Sequence, residues 1–216
     1  IPLKVPGAST EGKTGSGLVL VVDDEARVRK ITCRDLKAMS FDVIEAENRF
    51  KIAGIIDQPQ LIGTKVLNYE VIGCDEDLKS LAAKYKNALI TVGQIRAPDL
   101  RIKLFERVKE AGFILPVIVS PRAYVSSYAK VGEGSIIMHD ALVNAGAQVG
   151  DNCIINSKSL IEHDSTIGHH CHISTSVTIN GGVKVEGKSF IGSGAVTKEY
   201  ITISECSFVK SGVVIK

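Results

Sequence analysis

The chain has no tryptophan, and only six phenylalanines and five tyrosines among its 216 residues, so its interior must be packed by aliphatic side chains rather than rings. Its cysteines, Cys33, Cys74, Cys153, Cys171 and Cys206, are odd in number and form no CxxC pair. That excludes a disulfide framework or a zinc ribbon and fits a reducing cytoplasm. No apolar run approaches the ~18 residues of a membrane span, and the N-terminal residues do not read as a signal peptide. A net charge of +2, with no basic patch interleaved with aromatics, removes the electrostatic case for nucleic acid or an anionic membrane as partner. The first residue is Ile1 rather than Met, as expected of a processed or truncated start. No proline follows Pro121.

What replaces these features is a strict period. From Val125 to Ile215 every sixth residue is aliphatic, through Val131, Ile137, Val143, Val149, Ile155, Ile161, Ile167, Ile173, Ile179, Val185, Ile191, Ile203 and Val209, with Thr197 the exception. A helix repeats its apolar residues every three or four positions and a plain strand every two, so a period of six requires a backbone that turns a corner every six residues. The residue two before each aliphatic is usually small, as at Ala141, Ala147, Cys153, Ser159, Ser165 and Cys171, which suits the tight corner of a three-sided prism. Cys153 and Cys171 lie one coil apart at this position and read as small core residues. Eighteen residues make one coil, and the stretch from 121 to 216 holds about five, stacked ~4.8 Å apart as a hexapeptide parallel β-helix.

The preceding residues alternate strand and helix signals. Leu18 to Val22, Lys51 to Ile56, Ala88 to Val92 and Ile114 to Val119 read as strands, and Ala26 to Met39, Glu76 to Tyr85 and Asp99 to Ala111 as helices. This predicts a small Rossmann-like α/β domain with a parallel sheet over 18–120, whose ligands lie at the strands' carboxyl ends, in the loops after Val22, Ile56 and Val92. Residues 1–17, rich in Gly, Ser, Thr, Pro and Lys, read as a flexible extension. Gly7, Gly12, Lys13 and Thr14 satisfy the phosphate-loop pattern GxxxxGK[ST]. Two prolines precede that pattern and Gly15, Ser16 and Gly17 follow it, where a phosphate loop needs a strand before and a helix after.

All five histidines, His139, His163, His169, His170 and His172, lie in the repeat region, and none occupies an interior hexad position. A histidine projecting from a rigid coil can act as a general base, because its ordinary pKa of ~6.5 lies near the working pH. His163, followed by Asp164 and preceded seven residues earlier by Asn156, is the strongest candidate. No metal site is expected from this histidine set, since side chains on a stiff prism diverge rather than converge on one ion.

The segment from Ile155 through Asn156, Ile161, Glu162, His163 and Asp164, followed by Ile167-Gly168, His172-Ile173-Ser174, Gly181-Gly182-Val183 and Phe190 to Val196, resembles the bacterial sugar acetyltransferases of the left-handed β-helix superfamily. Within them it is similar to the UDP-4-amino-sugar N-acetyltransferases and sialic acid O-acetyltransferases, from about Asp42 to the C-terminus. The resemblance implies acetyl-CoA as co-substrate, a nucleotide-sugar or sugar acceptor, a cytoplasmic homotrimer with sites between neighbouring β-helices, and a role in cell-surface glycan synthesis. It makes His163 the base that takes the acceptor's proton and Asp164 the acid that orients the imidazole. Asn156 and the strand-end Asp57 fall to the acceptor side. His172, Gly181 and Gly182 fall to the acetyl-CoA side, where a main-chain amide can meet the thioester oxygen.

One segment departs from this pattern. The family's glycine-rich loop after the first strand is replaced by Asp23, Asp24 and Glu25, three carboxylates that would repel a diphosphate. Residues 18–46 instead resemble the start of a response-regulator receiver domain, in which an acidic pair helps bind Mg²⁺ beside a phosphorylated aspartate. A junction between the two kinds of sequence is expected near residues 40–48. Three readings follow: an N-acetyltransferase of amino-sugar nucleotides, an O-acetyltransferase of sialic acid or another sugar, and a non-catalytic or disabled trimeric module.

Overall fold

The computed structural model describes residues 18–21, 52–66 and 68–216. The phosphate-loop pattern, the acidic run at Asp23 to Glu25, the expected helix over Ala26 to Met39 and the junction at 40–48 lie outside the described residues. The chain divides after Pro116 into two compact units.

In the first unit, β1 (Leu18–Val21), β2 (Ile52–Ile56), β3 (Lys65–Val66), β4 (Tyr69–Gly73) and β5 (Asn87–Ile90) form one sheet in the order β3-β4-β2-β1-β5. All neighbours are parallel except the hairpin pair β3 and β4. Strands buried on both faces are near-continuous apolar runs, as in β5, where all four residues are buried. Two helices follow the pattern in the sequence, α1 (Leu78–Lys84) and α2 (Asp99–Glu110). Helix α2 buries Arg101, Leu104, Phe105 and Val108, the i, i+3, i+4, i+7 stripe of an amphipathic helix. It ends at Gly112, whose φ of +99° reverses the chain. The strand expected over Ile114 to Val119 is not continuous. Ile114 makes a single parallel bridge to Asn87, whereas Ile118–Val119 pairs with Ile136–Ile137 in the second unit. Pro116, between them, has no N–H to continue a ladder.

The second unit is the prism. Seventeen two-residue strands, three to a coil, stack in register into three parallel walls of six, six and five strands. Wall 1 runs from Ile118–Val119 to Phe208–Val209, wall 2 from Tyr124–Val125 to Val214–Ile215, and wall 3 from Lys130–Val131 to Thr202–Ile203. Each residue pairs with the one eighteen later, as Leu142 with Leu160 and Ile155 with Ile173. The second residue of each strand points inward, and Ile137, Ile155, Ile161, Ile173, Ile179, Val185 and Ile191 are fully buried. At roughly 2 kcal/mol or more per buried aliphatic side chain, this column is the principal source of the unit's stability.

The small residues at the corners do more than fit. Ser135 Oγ donates to Gly150 O at 2.7 Å, Cys153 Sγ to Gly168 O at 3.1 Å, Ser165 Oγ to Asn180 O at 2.8 Å and Cys171 Sγ to Glu186 O at 3.2 Å. Each closes a corner carbonyl that the ladder leaves open. Thr197, the exception to the aliphatic rule, is also buried. Its Oγ1 accepts from Asn180 N at 2.9 Å, while Asn180 Nδ2 donates to the Thr197 carbonyl at 2.6 Å. At this corner a side chain has taken the place of a ladder bond.

Candidate active site

His163 stands at the corner between walls 2 and 3, where the chain leaves Leu160–Ile161 and turns toward Thr166–Ile167. Asp164 carries the turn with φ +59°, a left-handed conformation that Asp tolerates better than most residues. That turn brings Asp164 Oδ2 within 2.9 Å of His163 Nδ1. A carboxylate only accepts, so in the neutral ring Nδ1 bears the proton and Nε2 presents its lone pair. The imidazole is 52 % exposed and its carboxylate partner 72 %, so both are open to solvent. The backbone beneath is fixed by Glu162, whose Oε2 accepts from His163 N at 3.1 Å and from Asn144 Nδ2 at 2.7 Å.

One coil on, Gly181 lies directly under the ring. A Cβ at position 181 would fall 2.7 Å from His163 Nε2 and 2.8 Å from Cε1, so only glycine leaves the imidazole where it is. Gly182 donates its N–H to His163 O at 3.0 Å. It has φ +67°, and a Cβ there would strike the Tyr200 ring at 2.3 Å. The Gly182 amide is therefore committed to the ladder. The Gly181 N–H has no acceptor among the described residues.

The other expected site residues lie elsewhere. Asn156 occupies the corner between walls 1 and 2. There its Nδ2 is 3.2 Å from His172 Nε2, and its Oδ1 accepts from Ser157 N at 2.7 Å. His172 is buried on wall 1 and meets Phe190 edge-on, with ring centroids 5.2 Å apart. Nine residues, half a coil, separate His163 from His172, so one chain holds them on opposite sides of the prism. Asp57 belongs to the first unit. It directly follows β2, is buried, donates its N–H to Gly73 O at 3.2 Å and accepts from Gln58 N at 2.7 Å. At the carboxyl end of β5, buried Arg101 donates from Nη1 to Ile90 O and Val92 O, both at 2.8 Å.

The remaining histidines sit apart from His163. His139 shares a 2.6 Å hydrogen bond with Ser120, next to the Arg122–Asp140 ion pair, and the Arg122 guanidinium holds the Asp140 carboxyl below its usual range. His169 accepts from Asp151 N at 3.0 Å, and His170 lies 3.1 Å from Asn152 Nδ2. Reading the repeat by sixes did not reveal the contacts of Gly181, Asn180, Thr197 and Tyr200. Reading it by eighteens pairs Gly181 with His163 and Tyr200 with Gly182, each one coil apart, but not Asn180 with Thr197, which are seventeen apart.

Comparison with known proteins matches residues 128–163 to the bacterial transferase hexapeptide family, six repeats. No curated protein sequence matches the chain. Among solved structures, the acetyltransferase domain of PglB from Neisseria gonorrhoeae FA1090 is similar at 25% identity and a TM-score of 0.74, covering 92% of this chain and 91% of that one. The same domain in complex with acetyl coenzyme A matches at 24% identity, 93% of each chain and a TM-score of 0.74. A GDP-perosamine N-acetyl transferase mutant from Caulobacter crescentus, in complex with CoA and GDP-perosamine, matches at 22% identity and a TM-score of 0.59, covering 94% of this chain and 95% of that one. The hexad repeat, the three-walled prism and these likenesses show that the chain has the hexapeptide-repeat, left-handed β-helix fold of the acetyltransferase domains it resembles.

Proposed function

We propose that the chain transfers the acetyl group of acetyl-CoA to the amine of a nucleotide-linked amino sugar, with His163 as general base. The observation that carries this reading is the His163 ring itself, held at Nδ1 by Asp164, with Nε2 free above the Gly181 main chain. The neutral amine attacks the thioester carbonyl carbon, and His163 Nε2 takes the proton that the nitrogen sheds. The carbonyl electrons move to oxygen, where the Gly181 N–H is the donor left for them. When the tetrahedral adduct collapses, the C–S bond breaks and the coenzyme thiolate recovers the proton from Nε2. No acyl-enzyme forms. A positioned base contributes ~10² to 10⁴ in rate, and one amide aimed at the developing oxyanion ~10² to 10³.

Acetyl-CoA as donor and a nucleotide sugar as acceptor are supported by the ligands of the structural neighbours. Asp57, at the carboxyl end of β2, is placed on the acceptor side by this reading, and His172 and Asn156 on the coenzyme and acceptor sides of a site shared between subunits. The wall surfaces support a homotrimer. Wall 3 presents Lys130, Gln148, Thr166, Lys184 and Thr202 outward, whereas wall 1 presents the half-buried Ile154 and Phe190 and the exposed Phe208, and wall 2 presents Leu142, Leu160, Thr178, Val196 and Val214. Two apolar walls per prism suit a three-fold assembly that leaves wall 3 in water, and His163 of one subunit then works with His172 of the next. Among the described residues no helix is long and apolar enough to cross a membrane, and a reaction between two such soluble metabolites fits the cytoplasm.

The test is thiol release from acetyl-CoA with a panel of UDP- and GDP-linked 4-amino sugars, with sialic acid included because the same base serves a hydroxyl. Turnover that survives His163→Ala removes His163 from the mechanism.

A further inference from the structure

We propose that Thr197 is a positioning residue of the acetyl-transfer site, which engages the Asn180 side chain so that the Gly181 N–H stays open to the substrate's carbonyl oxygen. The inference rests on the role given above to His163 and Gly181. Its basis is a comparison of corners within this one chain. Asn144 Oδ1 accepts from the next residue's N–H, Ala145 N, at 2.8 Å, and Asn156 Oδ1 does the same for Ser157 N at 2.7 Å. Glu162 closes His163 N at 3.1 Å. In each case the first residue of the corner consumes the amide that follows it.

Asn180 has the same side chain at the same place in its corner and does not do so. Its Nδ2 donates to Thr197 O at 2.6 Å and its own N–H donates to Thr197 Oγ1 at 2.9 Å. Equivalent residues one coil to either side, Glu162 and Lys198, donate their N–H to the carbonyls of Ile179 and Ile215 at 2.9 and 2.7 Å. The hydroxyl of Thr197 therefore captures the Asn180 N–H and leaves the Thr197 carbonyl to be satisfied by the Asn180 amide group. A buried carbonyl needs such a partner, so the side chain is held there rather than turned onto Gly181. An aliphatic residue at 197, which the hexad rule calls for, has no hydroxyl. The ladder bond would then re-form and free Asn180 to cap Gly181 as Asn144 caps Ala145. The one departure from the repeat lies next to the one glycine pressed against His163 Nε2.

Thr197→Val tests this, because Val is what fifteen of the sixteen positions of the repeat carry in kind and the variant should fold with an unchanged or higher Tm. In its crystal structure Asn180 Oδ1 is expected within hydrogen-bond reach of Gly181 N. Its kcat is expected to fall about a hundredfold, while KM for acetyl-CoA changes by less than about threefold. Adding Asn180→Ala, which supplies no acceptor for the amide, should recover at least about tenfold of that loss. An Asn180 side chain that stays on the Thr197→Val carbonyl overturns the inference. So does full kcat in Thr197→Val while His163→Ala is inactive, an outcome that leaves the proposed reaction standing. Turnover in His163→Ala would instead remove the proposed reaction, and the crystal structure would still decide whether Thr197 sets Asn180.

Discussion

Gly181→Ala adds a single methyl group facing the His163 ring. The new Cβ would lie 2.7 Å from Nε2, 2.8 Å from Cε1 and 3.4 Å from Cδ2, where ordinary contact starts at 3.4 Å. The ring must therefore withdraw by roughly 0.7 Å or swing aside, and a displacement approaching 1 Å at a reacting group costs up to about a hundredfold in rate. The fold should tolerate the change. Position 181 is outside the left-handed region of φ, the obstructing atoms belong to a half-exposed side chain rather than backbone, and Gly→Ala at a compatible backbone gains ~0.4 to 1 kcal/mol through the unfolded state. The expected result is a kcat lowered ~30- to 100-fold, with Tm within a few degrees of the parent and the oligomer unchanged. Thermal melts, sedimentation and thiol release from acetyl-CoA measure the three quantities. A Gly181→Ala protein that turns over within about twofold of the parent at equal Tm would show that the ring position is not what the reaction depends on.

Asp164→Asn keeps an acceptor for Nδ1 but removes the charge that stabilises the imidazolium, and because Asp164 is 72 % exposed kcat should fall only about tenfold, read in the same assay. Gly182→Ala strains a backbone at φ +67° and drives a methyl into the Tyr200 ring. It should cost ~1 to 2 kcal/mol, a Tm loss of a few degrees by calorimetry. Ile173→Ala opens a cavity in the column of fully buried side chains and should cost ~2 to 5 kcal/mol in a denaturant titration. Among the described cysteines only Cys206 is exposed, and the Cys74 thiol is pushed up to about 11 by Glu76, burial and Asp77. Cys74 thus stays protonated below that pH, and maleimide at pH 8 should label Cys206 well before Cys74 by peptide mapping. Comparable labelling of Cys74 would contradict its placement.

The prism was legible because its period is strict. Hexads specify three walls, and the interior residues they name, such as Ile155, Ile161 and Ile173, are those the fold buries. The α/β unit was legible where runs are long, as in β2, β5 and α2. The hairpin of Lys65–Val66 with Tyr69–Gly73 escaped notice because no Asn-Gly or Asp-Gly pair marks its turn. Arg101 lies within the expected helix over Asp99 to Ala111. Its burial against the end of β5 depends on tertiary packing that no local pattern carries. In the site, adjacency along the chain revealed His163 with Asp164, whereas the contacts of His163 with Gly181 and of Asn156 with His172 are made across coils. Thr197 was visible as an exception, but the reason for it lies in the hydrogen bonds of Asn180, one coil earlier.

The most direct test of the account is the rate of thiol release from acetyl-CoA by the wild-type chain and by His163→Ala, side by side, against nucleotide-linked 4-amino sugars. The account predicts turnover with at least one acceptor in the wild type and a loss of ~10² to 10⁴ in the variant with its assembly and Tm preserved. Equal rates in the two proteins would contradict it.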